Sequence, residues 1–326
     1  RHKFMILVTG AAGFIGSNIV ASLNKKGYKN IILCDWVDEN IKKKNIEKLI
    51  YQKLVPPEKI IEYLNKTKNI ELIIHMGANS STTETNFRLI YNINTRFSKN
   101  LWKWCTNNQV RLIYASSAAT YGNGAKGFND SDTQIYKPLN IYGLSKYLFD
   151  RYVIKQAKKG ICPPQWVGLK FFNVYGPNEY HKGNMQSVVK HAFDQYNKFG
   201  KVKLFKSYNN KYMDGQQTRD FIYVDDCVSL INWLVKNKNI SGIYNCGTSI
   251  ERTFEELVKA MFNAINISPK IEYIAMPKNL RKQYQYYTKA NMEKIRKKGY
   301  NIKFSTLEEG VNKYIKNYLL TEDKYK

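Results

Sequence analysis

The sequence predicts an α/β protein built on a doubly wound parallel sheet, and two observations carry this prediction. Short apolar segments with strand character alternate with amphipathic helical segments through the first half of the chain. A glycine-rich turn lies between the first predicted strand and the first predicted helix. This alternation is typical of parallel sheets whose crossover helices cover both faces.

The apolar pattern places the individual elements in order along the chain. It predicts strands at residues 5–9, 31–35, 71–75, 111–116, 167–172, 219–224, 242–246 and 270–275. It predicts helices at residues 16–26, 97–106, 142–158, 186–199, 253–265 and 307–319. Thr253 and Glu256 stand in capping-box spacing at one helix start, whereas the polar segment 206–217 is expected to be a loop.

These elements indicate two parts of the chain. We expect residues 1–175 to form a dinucleotide-binding domain, to which residues 217–250 return. Residues 176–216 and 251–326 are expected to form a smaller C-terminal α/β lobe that binds the substrate. The ligands should lie between the two, at the carboxyl ends of the strands.

The composition bounds the class of function. The chain has 326 residues, of which 43% are apolar, so a large folded core is expected. Its formal net charge is +26, but the lysines are spread along the chain without a nucleic-acid-binding motif, so we expect no nucleic-acid partner. No apolar segment approaches the roughly 18 residues of a membrane span, and no signal-peptide pattern precedes residue 5. We therefore expect a cytoplasmic protein without a membrane partner.

The segment Thr9-Gly-Ala-Ala-Gly-Phe-Ile-Gly16 predicts a Rossmann-type dinucleotide site, because it follows a strand and opens a helix. Gly10 permits the tight turn, Gly13 lets the backbone approach the pyrophosphate, and Gly16 lets the helix pack on the strand. The pyrophosphate then lies at the helix N-terminus, whose free N–H groups favour anions.

Two features near the second strand bear on the cofactor. Asp35 ends that strand, where an acidic residue hydrogen-bonds the adenosine ribose and favours NAD. The run Lys42-Lys43-Lys44 either binds the 2′-phosphate of NADP or forms a solvated face. These residues by themselves leave NADP and NAD both open.

The segment Tyr142-Gly-Leu-Ser-Lys146 places a phenol and an ammonium four residues apart on one helix face. A phenol has a pKa of about 10, and a neighbouring cation lowers it by favouring the phenolate. Such a pair can take a proton from a secondary alcohol while a nicotinamide takes the hydride. Ser117 follows the fourth strand and either bonds the same substrate oxygen or caps a turn.

Together these motifs resemble extended short-chain dehydrogenases/reductases of the sugar-nucleotide epimerase/dehydratase type. The matching segments span most of the chain, at residues 9–16, 117–122, 142–146, 172–177 and 219–226. The resemblance implies a nucleotide-sugar substrate and a nicotinamide cofactor. Dehydratases of this group carry an Asp-Glu pair after the catalytic Ser or Thr, whereas this chain has Ala118 and Ala119, which disfavours elimination of water.

A closer resemblance is to the ADP-glycero-manno-heptose 6-epimerase family, at residues 75–84, 139–150, 181–185 and 284–288. It implies NADP-dependent epimerisation of ADP-D-glycero-D-manno-heptose to ADP-L-glycero-D-manno-heptose through a transient ketone, for the lipopolysaccharide inner core. It also implies two bases, Tyr142 and Lys182. From the residues alone, Lys182 is either this second base or a surface or phosphate-binding lysine. The chain departs from the family at Met76, Asn79 and Asn184 and in a longer segment 206–217.

The expected site residues follow from the motifs and the resemblance. The catalytic residues are Ser117, Tyr142, Lys146 and Lys182. The expected cofactor contacts are Gly10, Gly13, Phe14, Ile15, Gly16, Asp35, Trp36, Lys42, Met76, Gly77, Ala78, Asn79, Ser80, Asn94, Lys146 and Val174. The expected substrate contacts are Ser117, Asn173, Asn184, His191, Phe205, Lys206, Ser207, Tyr208, Arg219 and Tyr284. Among them, Arg219 is expected to clamp the diphosphate, and His191 is either a substrate contact or a core residue.

Two alternative functions stay open. One is an epimerase or reductase acting on another nucleotide-sugar, such as a UDP-hexose 4-epimerase. The other is a non-catalytic NADP-binding relative of the fold, although Ser117, Tyr142 and Lys146 argue against it. No metal is expected, because the five cysteines lack metal-binding spacing. The resemblance implies a homo-oligomer, a pentamer.

Overall fold

The computed structural model describes residues 4–37, 40–281 and 284–326. Its strands are β1 (Met5–Thr9), β2 (Ile31–Cys34), β3 (Lys53–Val55), β4 (Ile70–His75), β5 (Arg111–Ser117), β6 (Trp166–Phe171), β7 (Asn173–Tyr175), β8 (Val202–Phe205), β9 (Thr218–Arg219), β10 (Phe221–Tyr223), β11 (Gly242–Cys246), β12 (Arg252–Thr253) and β13 (Ile271–Ile274).

The central sheet has seven strands in the described residues, in the order β3-β2-β1-β4-β5-β6-β11, and all its pairs are parallel. The strand order reverses between β1 and β4, which is the switch point of a doubly wound sheet. The expected fold class is therefore confirmed. Three further pairs, β7–β10, β8–β13 and β9–β12, complete the strand pairing.

The helices connect the strands. They are α1 (Phe14–Lys25), α2 (Asn40–Lys44), α3 (Ile60–Lys66), α4 (Phe87–Ile90), α5 (Phe97–Asn108), α6 (Ile141–Ala157), α7 (Val188–Phe199), α8 (Val224–Lys236), α9 (Phe254–Ala264), α10 (Lys278–Arg281), α11 (Glu293–Lys297) and α12 (Leu307–Tyr314). Short 3₁₀ segments span Pro57–Lys59, Ala118–Tyr121 and Tyr180–Met185, and π-helical turns span Tyr91–Arg96 and Ile315–Leu319. None of the helices in the described ranges is both long enough and apolar enough to cross a membrane.

The sheet is buried on both faces. Successive side chains of a strand point to opposite faces, and in β1 Ile6 and Val8 join one buried apolar cluster while Leu7 joins another. Helix α1 contributes Ile19 to the first cluster, and α5 contributes Trp102 to the second. Helices therefore cover both faces, as a continuous apolar pattern in parallel strands requires.

One predicted element is wrong. Residues 219–224 do not form a single strand, because β9 ends at Arg219, β10 is Phe221–Tyr223 and α8 begins at Val224. Asp225 and Asp226 occupy the first turn of α8, where the helix dipole favours acidic side chains. The predicted capping box of α9 is present, and the predicted loop 206–217 contains no helix or strand. The division into two domains stays a prediction.

A fully buried carboxylate, that of Asp220, joins three segments that are distant in sequence. Located between β9 and β10, it accepts hydrogen bonds from the Thr248 N–H (2.8 Å) and hydroxyl (2.7 Å) and from the Ser249 N–H (3.1 Å) after β11. It also accepts the Ala290 N–H at 3.0 Å. The last strand of the sheet and the C-terminal segment are thus held at one point.

We predict that Asp220→Ala lowers the free energy of unfolding by roughly 3 kcal/mol or more, because it leaves several buried donors without an acceptor. Asp225→Ala is the control, since Asp225 is half-exposed and its one ion pair among the described residues is with Lys326, so the expected change is under about 1 kcal/mol. Urea unfolding of both variants measures the difference. Equal changes in the two variants would contradict this role of Asp220.

Candidate active site

A cleft of about 1000 Å³ opens along the carboxyl ends of β1, β2, β4 and β5. Doubly wound sheets bind their ligands at this edge. The cleft is lined by most of the residues expected from the sequence: Gly10, Gly13, Phe14, Ile15, Gly16, Asp35, Trp36, Lys42, Met76, Gly77, Ala78, Asn79, Ser80, Ser117, Tyr142, Lys146, Asn173, Val174, Lys182 and Asn184.

The glycine turn is packed too closely for side chains. Gly10 has φ +61°, and a Cβ atom on Gly16 would lie 2.0 Å from the Gly10 carbonyl oxygen. A Cβ atom on Gly10 would lie 2.6 Å from the nitrogen of Gly77, in the loop that follows β4. Gly13 caps α1 without a side-chain hydrogen bond, so the first N–H groups of α1 face the cleft uncapped. This geometry fits a pyrophosphate group.

Both oxygens of the Asp35 carboxylate are engaged. Oδ2 accepts the Ala12 N–H of the glycine turn at 2.9 Å. Oδ1 accepts the Trp36 N–H at 2.8 Å and the Lys42 ammonium at 2.5 Å. The indole N–H of Trp36 bonds Glu58 at 2.8 Å, which fixes the half-exposed ring at the mouth of the cleft.

Tyr142 and Ser117 face each other at the centre of the cleft. Asn140 caps α6 by accepting the Gly143 N–H at 2.7 Å, and this sets the start of the helix that carries Tyr142. Burial raises the pKa of Tyr142, and a hydrogen bond with Ser117 opposes that rise. The raised pKa differs from the lowering expected from the sequence, because burial outweighs the opposing effect. Lys146 directs its ammonium to the Ala115 carbonyl at 2.8 Å.

Lys146 lies almost completely inside the protein, at 4% exposure. Burial lowers its pKa to about 8, and the nearby Asp150 carboxylate opposes this change. Asp150 itself pairs with Lys170 at 3.0 Å and accepts the Ser116 hydroxyl at 2.6 Å. Lys146 is therefore mostly protonated at neutral pH, although burial makes its charged form less stable than in water.

Asn94 is buried and does not line the cleft, yet it shapes it. Its side chain accepts the Asn79 N–H at 2.8 Å and donates to the Asn79 carbonyl at 2.9 Å. It also donates to the Ser145 hydroxyl at 3.0 Å, and Ser145 donates to the Tyr142 carbonyl at 2.6 Å. Asn94 lies in a π-helical turn, and it links the loop after β4 to α6.

His75 is a buried member of the same network that the motifs did not single out. Its Nδ1 lies 2.5 Å from the Thr9 hydroxyl, and its Nε2 lies 2.8 Å from the Ser98 hydroxyl. Ser98 donates to the Asn94 carbonyl, so Ser98 accepts from Nε2–H and the neutral ring accepts at Nδ1. Burial, followed by the Lys146 charge, lowers the pKa of His75 to about 3, which keeps the ring neutral.

Lys182 lines the same cleft from a different segment, the 3₁₀ segment Tyr180–Met185. Its ammonium lies 5.5 Å from the centre of the Phe14 ring. Burial lowers its pKa, and the Glu179 carboxylate opposes this change. The adjacent His181 has its pKa lowered to about 4 by burial and by the charges of Lys42 and Lys182.

A second group of expected substrate residues lies outside the residues that line the cleft. The Arg219 guanidinium lies 5.3 Å from the Phe254 ring centre and 5.5 Å from that of Tyr284. The Phe205 and Tyr284 ring centres are 6.4 Å apart. Tyr208 lies 3.6 Å below the guanidinium of Arg281, which the motifs did not single out. The structure thus gathers these residues into an aromatic and arginine-rich cluster, in which Arg219 is buried.

The remaining expected substrate residues have local partners. Ser207 donates to the Asn209 carbonyl at 2.9 Å, within its own loop. Lys206 donates its backbone N–H to the Ile274 carbonyl at 2.8 Å. His191 is half-buried rather than in the core, and its Nε2 lies 3.2 Å from the Asn184 carbonyl. The His191 N–H also donates to the Ser187 carbonyl at 3.0 Å, so His191 adjoins the cleft through Asn184 and Ser187.

This geometry agrees with the similarity to known proteins. A model of the NAD dependent epimerase/dehydratase family matches residues 6–247. The chain belongs to this family. A protein of Fusobacterium nucleatum named ADP-L-glycero-D-manno-heptose-6-epimerase is 44% identical over 98% of this chain and 100% of its own. The protein of that name from Brachyspira hyodysenteriae is 43% identical over 95% of this chain and 96% of its own. The expected resemblance is confirmed, and with it the isomerase class.

Solved structures agree with the fold. The crystal structure of the Helicobacter pylori ADP-L-glycero-D-manno-heptose-6-epimerase has a TM-score of 0.79 at 28% identity, covering 96% of each chain. A UDP-N-acetylglucosamine 4-epimerase from Methanobrevibacter ruminantium has a TM-score of 0.81 at 20% identity, covering 96% of this chain and 97% of its own, and supports the fold alone. Membership of an NAD-dependent family indicates a nicotinamide cofactor.

We predict that Lys146→Met stabilises the cofactor-free protein at neutral pH by roughly 1–3 kcal/mol while abolishing turnover. The folded-state pKa of about 8 lies below that of the unfolded chain, so the folded state binds fewer protons and wild-type stability rises with pH above about 8. The gap between the variant and the wild type should therefore shrink as the pH rises towards about 10. Urea unfolding of both proteins between neutral pH and pH about 10 measures this difference in the free energy of unfolding. A variant less stable than the wild type at neutral pH would contradict the prediction.

Proposed function

We propose that this chain catalyses the NADP-dependent epimerisation of ADP-D-glycero-D-manno-heptose to ADP-L-glycero-D-manno-heptose, through a transient ketone, for the lipopolysaccharide inner core. The observation that carries the proposal is that one cleft is lined by the glycine turn, by the Ser117–Tyr142–Lys146 group and by Lys182. The names of the relatives support the choice of substrate.

The reaction needs two proton-transfer groups. Inversion of a secondary alcohol carbon removes a hydride from one face and returns it to the other. When bound in the cleft, a nicotinamide ring supplies the position that holds the hydride between these steps. The hydroxyl oxygen approaches from different directions in the two epimers, so one fixed base cannot serve both. The side chains must take the hydroxyl proton as the ketone forms and return a proton to its oxygen afterwards.

Tyr142 is the proposed group for one epimer. Its hydroxyl is already bonded to Ser117, and a substrate oxygen placed between them completes the chain of hydrogen bonds. Lys146 adds a buried positive charge on the next turn of the same helix. The Ser117 hydroxyl and the Lys146 charge both stabilise a phenolate formed at Tyr142.

Lys182 is the proposed group for the other epimer. Burial lowers its pKa, which raises the fraction of neutral amine that can accept a proton. None of the ion pairs between described residues includes Lys182. Its side-chain nitrogen lies 5.5 Å from the centre of the Phe14 ring, and as a neutral amine it can accept a proton from a substrate oxygen.

The binding surfaces support NADP and an adenine nucleotide. Because the Asp35 carboxylate is already engaged by Ala12, Trp36 and Lys42, it has little acceptor capacity left for a ribose hydroxyl, and Lys42 brings a positive charge that suits a 2′-phosphate. The arginine and aromatic cluster around Arg219 supports stacking of a base and bidentate contact with a diphosphate. We further propose that the protein works in the cytoplasm as a homo-oligomer, a pentamer by resemblance.

The first test is redox balance. We predict that the purified protein carries bound NADP and converts one heptose epimer to an equilibrium mixture without net consumption of cofactor, because the hydride removed is returned. Chromatography of both epimers and absorbance of the reduced cofactor measure this. Stoichiometric accumulation of reduced cofactor over many turnovers indicates a dehydrogenase and contradicts the proposal.

The second test separates the two bases. The equilibrium constant fixes the ratio of kcat/KM for the two directions, so steady-state rates cannot separate the bases. The test therefore compares the single-turnover rate at which each pure epimer reduces the bound cofactor. We predict that Lys182→Met slows oxidation of one epimer by roughly 10²-fold or more and Tyr142→Phe slows the other by a similar factor. If Lys182→Met weakens binding of both epimers equally and leaves both single-turnover rates unchanged, Lys182 is a diphosphate clamp instead.

A further inference from the structure

A buried carboxylate on the cleft wall, that of Glu179, has no part in the mechanism above. Its side chain is completely inaccessible to solvent, yet it borders the cleft three residues before Lys182. An ionised carboxylate is costly to bury unless hydrogen bonds compensate it. The groups that donate hydrogen bonds to the Glu179 carboxylate therefore indicate its role.

Both oxygens of Glu179 accept backbone N–H groups. Oε2 accepts the Gly176 N–H at 3.1 Å, and Oε1 accepts the Ser187 N–H in a short hydrogen bond. These donors stand at the two ends of the segment 176–187, which carries Lys182. One carboxylate thus closes the loop, and within it the Lys182 N–H donates to the Glu179 carbonyl at 3.0 Å.

The charge of Glu179 acts on Lys182 without a direct ion pair. Across the described residues, no ion pair within 4.0 Å joins the two side chains, because the carboxylate is occupied by the loop. A direct contact would hold the lysine as an ammonium; a carboxylate set further away moderates the effect of burial and leaves the nitrogen free. The neighbouring titratable groups include His181 beside Lys182, Lys42 beside His181, and Tyr180 and Tyr314 beside Glu179.

We propose that Glu179 is the positioning residue of the Lys182 wall: its carboxylate fixes the loop 176–187 and supplies the negative charge that faces the lysine. This inference rests on the proposed role of Lys182 as the second base. It goes beyond that role, because it assigns the placement of the base to a residue that does not touch the substrate.

Two substitutions separate loop closure from charge. Glu179→Gln removes the charge and presents an amide N–H₂ to one of the two backbone donors, so one closure bond is lost. Glu179→Asp keeps the charge but is one methylene shorter, so it cannot reach both ends of the loop. Asp226→Asn is the matched control, because Asp226 is also a buried carboxylate that accepts a backbone N–H, from Ser305 at 3.0 Å, outside the cleft.

The experiment measures the single-turnover oxidation rate of each pure epimer against pH, in the holoprotein. We expect both Glu179 variants to lower the plateau rate of the Lys182-dependent epimer by about tenfold or more, with the other epimer changed less than about twofold. Because only neutral amine accepts a proton, the rate rises with pH through the pKa of Lys182. Loss of the carboxylate charge lowers the pKa of Lys182. In Glu179→Gln the rate should therefore rise at a lower pH than in the wild type, and in Glu179→Asp this shift should be smaller.

Three results decide between the possibilities. Equal slowing of both epimers, or no change in either, overturns the role of Glu179 when Lys182→Met remains selective in the same assay. If Lys182→Met is itself not selective, the second-base role fails, and the inference falls with it. A selective effect in Asp226→Asn of the same size also overturns the inference, because it shows a general response to losing a buried carboxylate. If Glu179→Gln does not fold, the test uses Glu179→Asp alone, from its plateau rate and from the pH at which its rate rises.

Discussion

The close packing of the glycine turn is the constraint on which the rest of the site depends. The Gly10 carbonyl oxygen and Gly16 approach so closely that no side chain fits between them, and Gly77 packs on the same turn. Both backbone polar groups of Ala12 are hydrogen-bonded. Asp35 accepts the Ala12 N–H, and the Asn45 side chain donates to the Ala12 carbonyl at 2.8 Å. The turn thereby orients the start of α1 towards the cleft.

The same contacts connect the turn to the Lys182 wall. The Asn45 side chain also donates to the Asn178 carbonyl at 3.1 Å and lies 3.3 Å from Nδ1 of His181. On α1, Asn18 donates to the Pro177 carbonyl at 2.9 Å. The proposed second base is therefore held against the cofactor turn through buried amides rather than through a flexible surface loop. Rigid placement of this kind suits a reaction in which two bases must face one carbon from opposite sides.

Much of this arrangement could be predicted from the sequence. The strands of the sheet and the glycine turn have local signatures, namely apolar runs and glycine spacing, and the structure places them as expected. The pairing of Tyr142 with Ser117 follows from the ends of two elements meeting at one sheet edge. The end of β9 and the start of α8 were not predictable, because an apolar run of four residues fits a strand and a helix start equally well.

The residues that hold the site in place left no such signature. The partners of Glu179 are backbone groups in a loop, and those of His75 come from β1 and α5, so their roles depend on long-range contacts that no spacing encodes. The raised pKa of Tyr142 is a further example, because it reflects burial that the motif does not report. Sequence patterns identify the groups that carry chemistry, whereas their protonation and placement depend on the packed environment.

The central claim is that hydrogen leaves the sugar carbon as a hydride and returns to it within the cleft, and isotope tracing in D₂O tests this most directly. The reaction is run in D₂O from unlabelled ADP-heptose to equilibrium, and the deuterium content of the inverted carbon is read by mass spectrometry and NMR. The account predicts product without deuterium at that carbon, because the hydride is held in the site and returned. Incorporation of one solvent deuterium per inversion would contradict it, since it would require removal and return of a proton instead of a hydride.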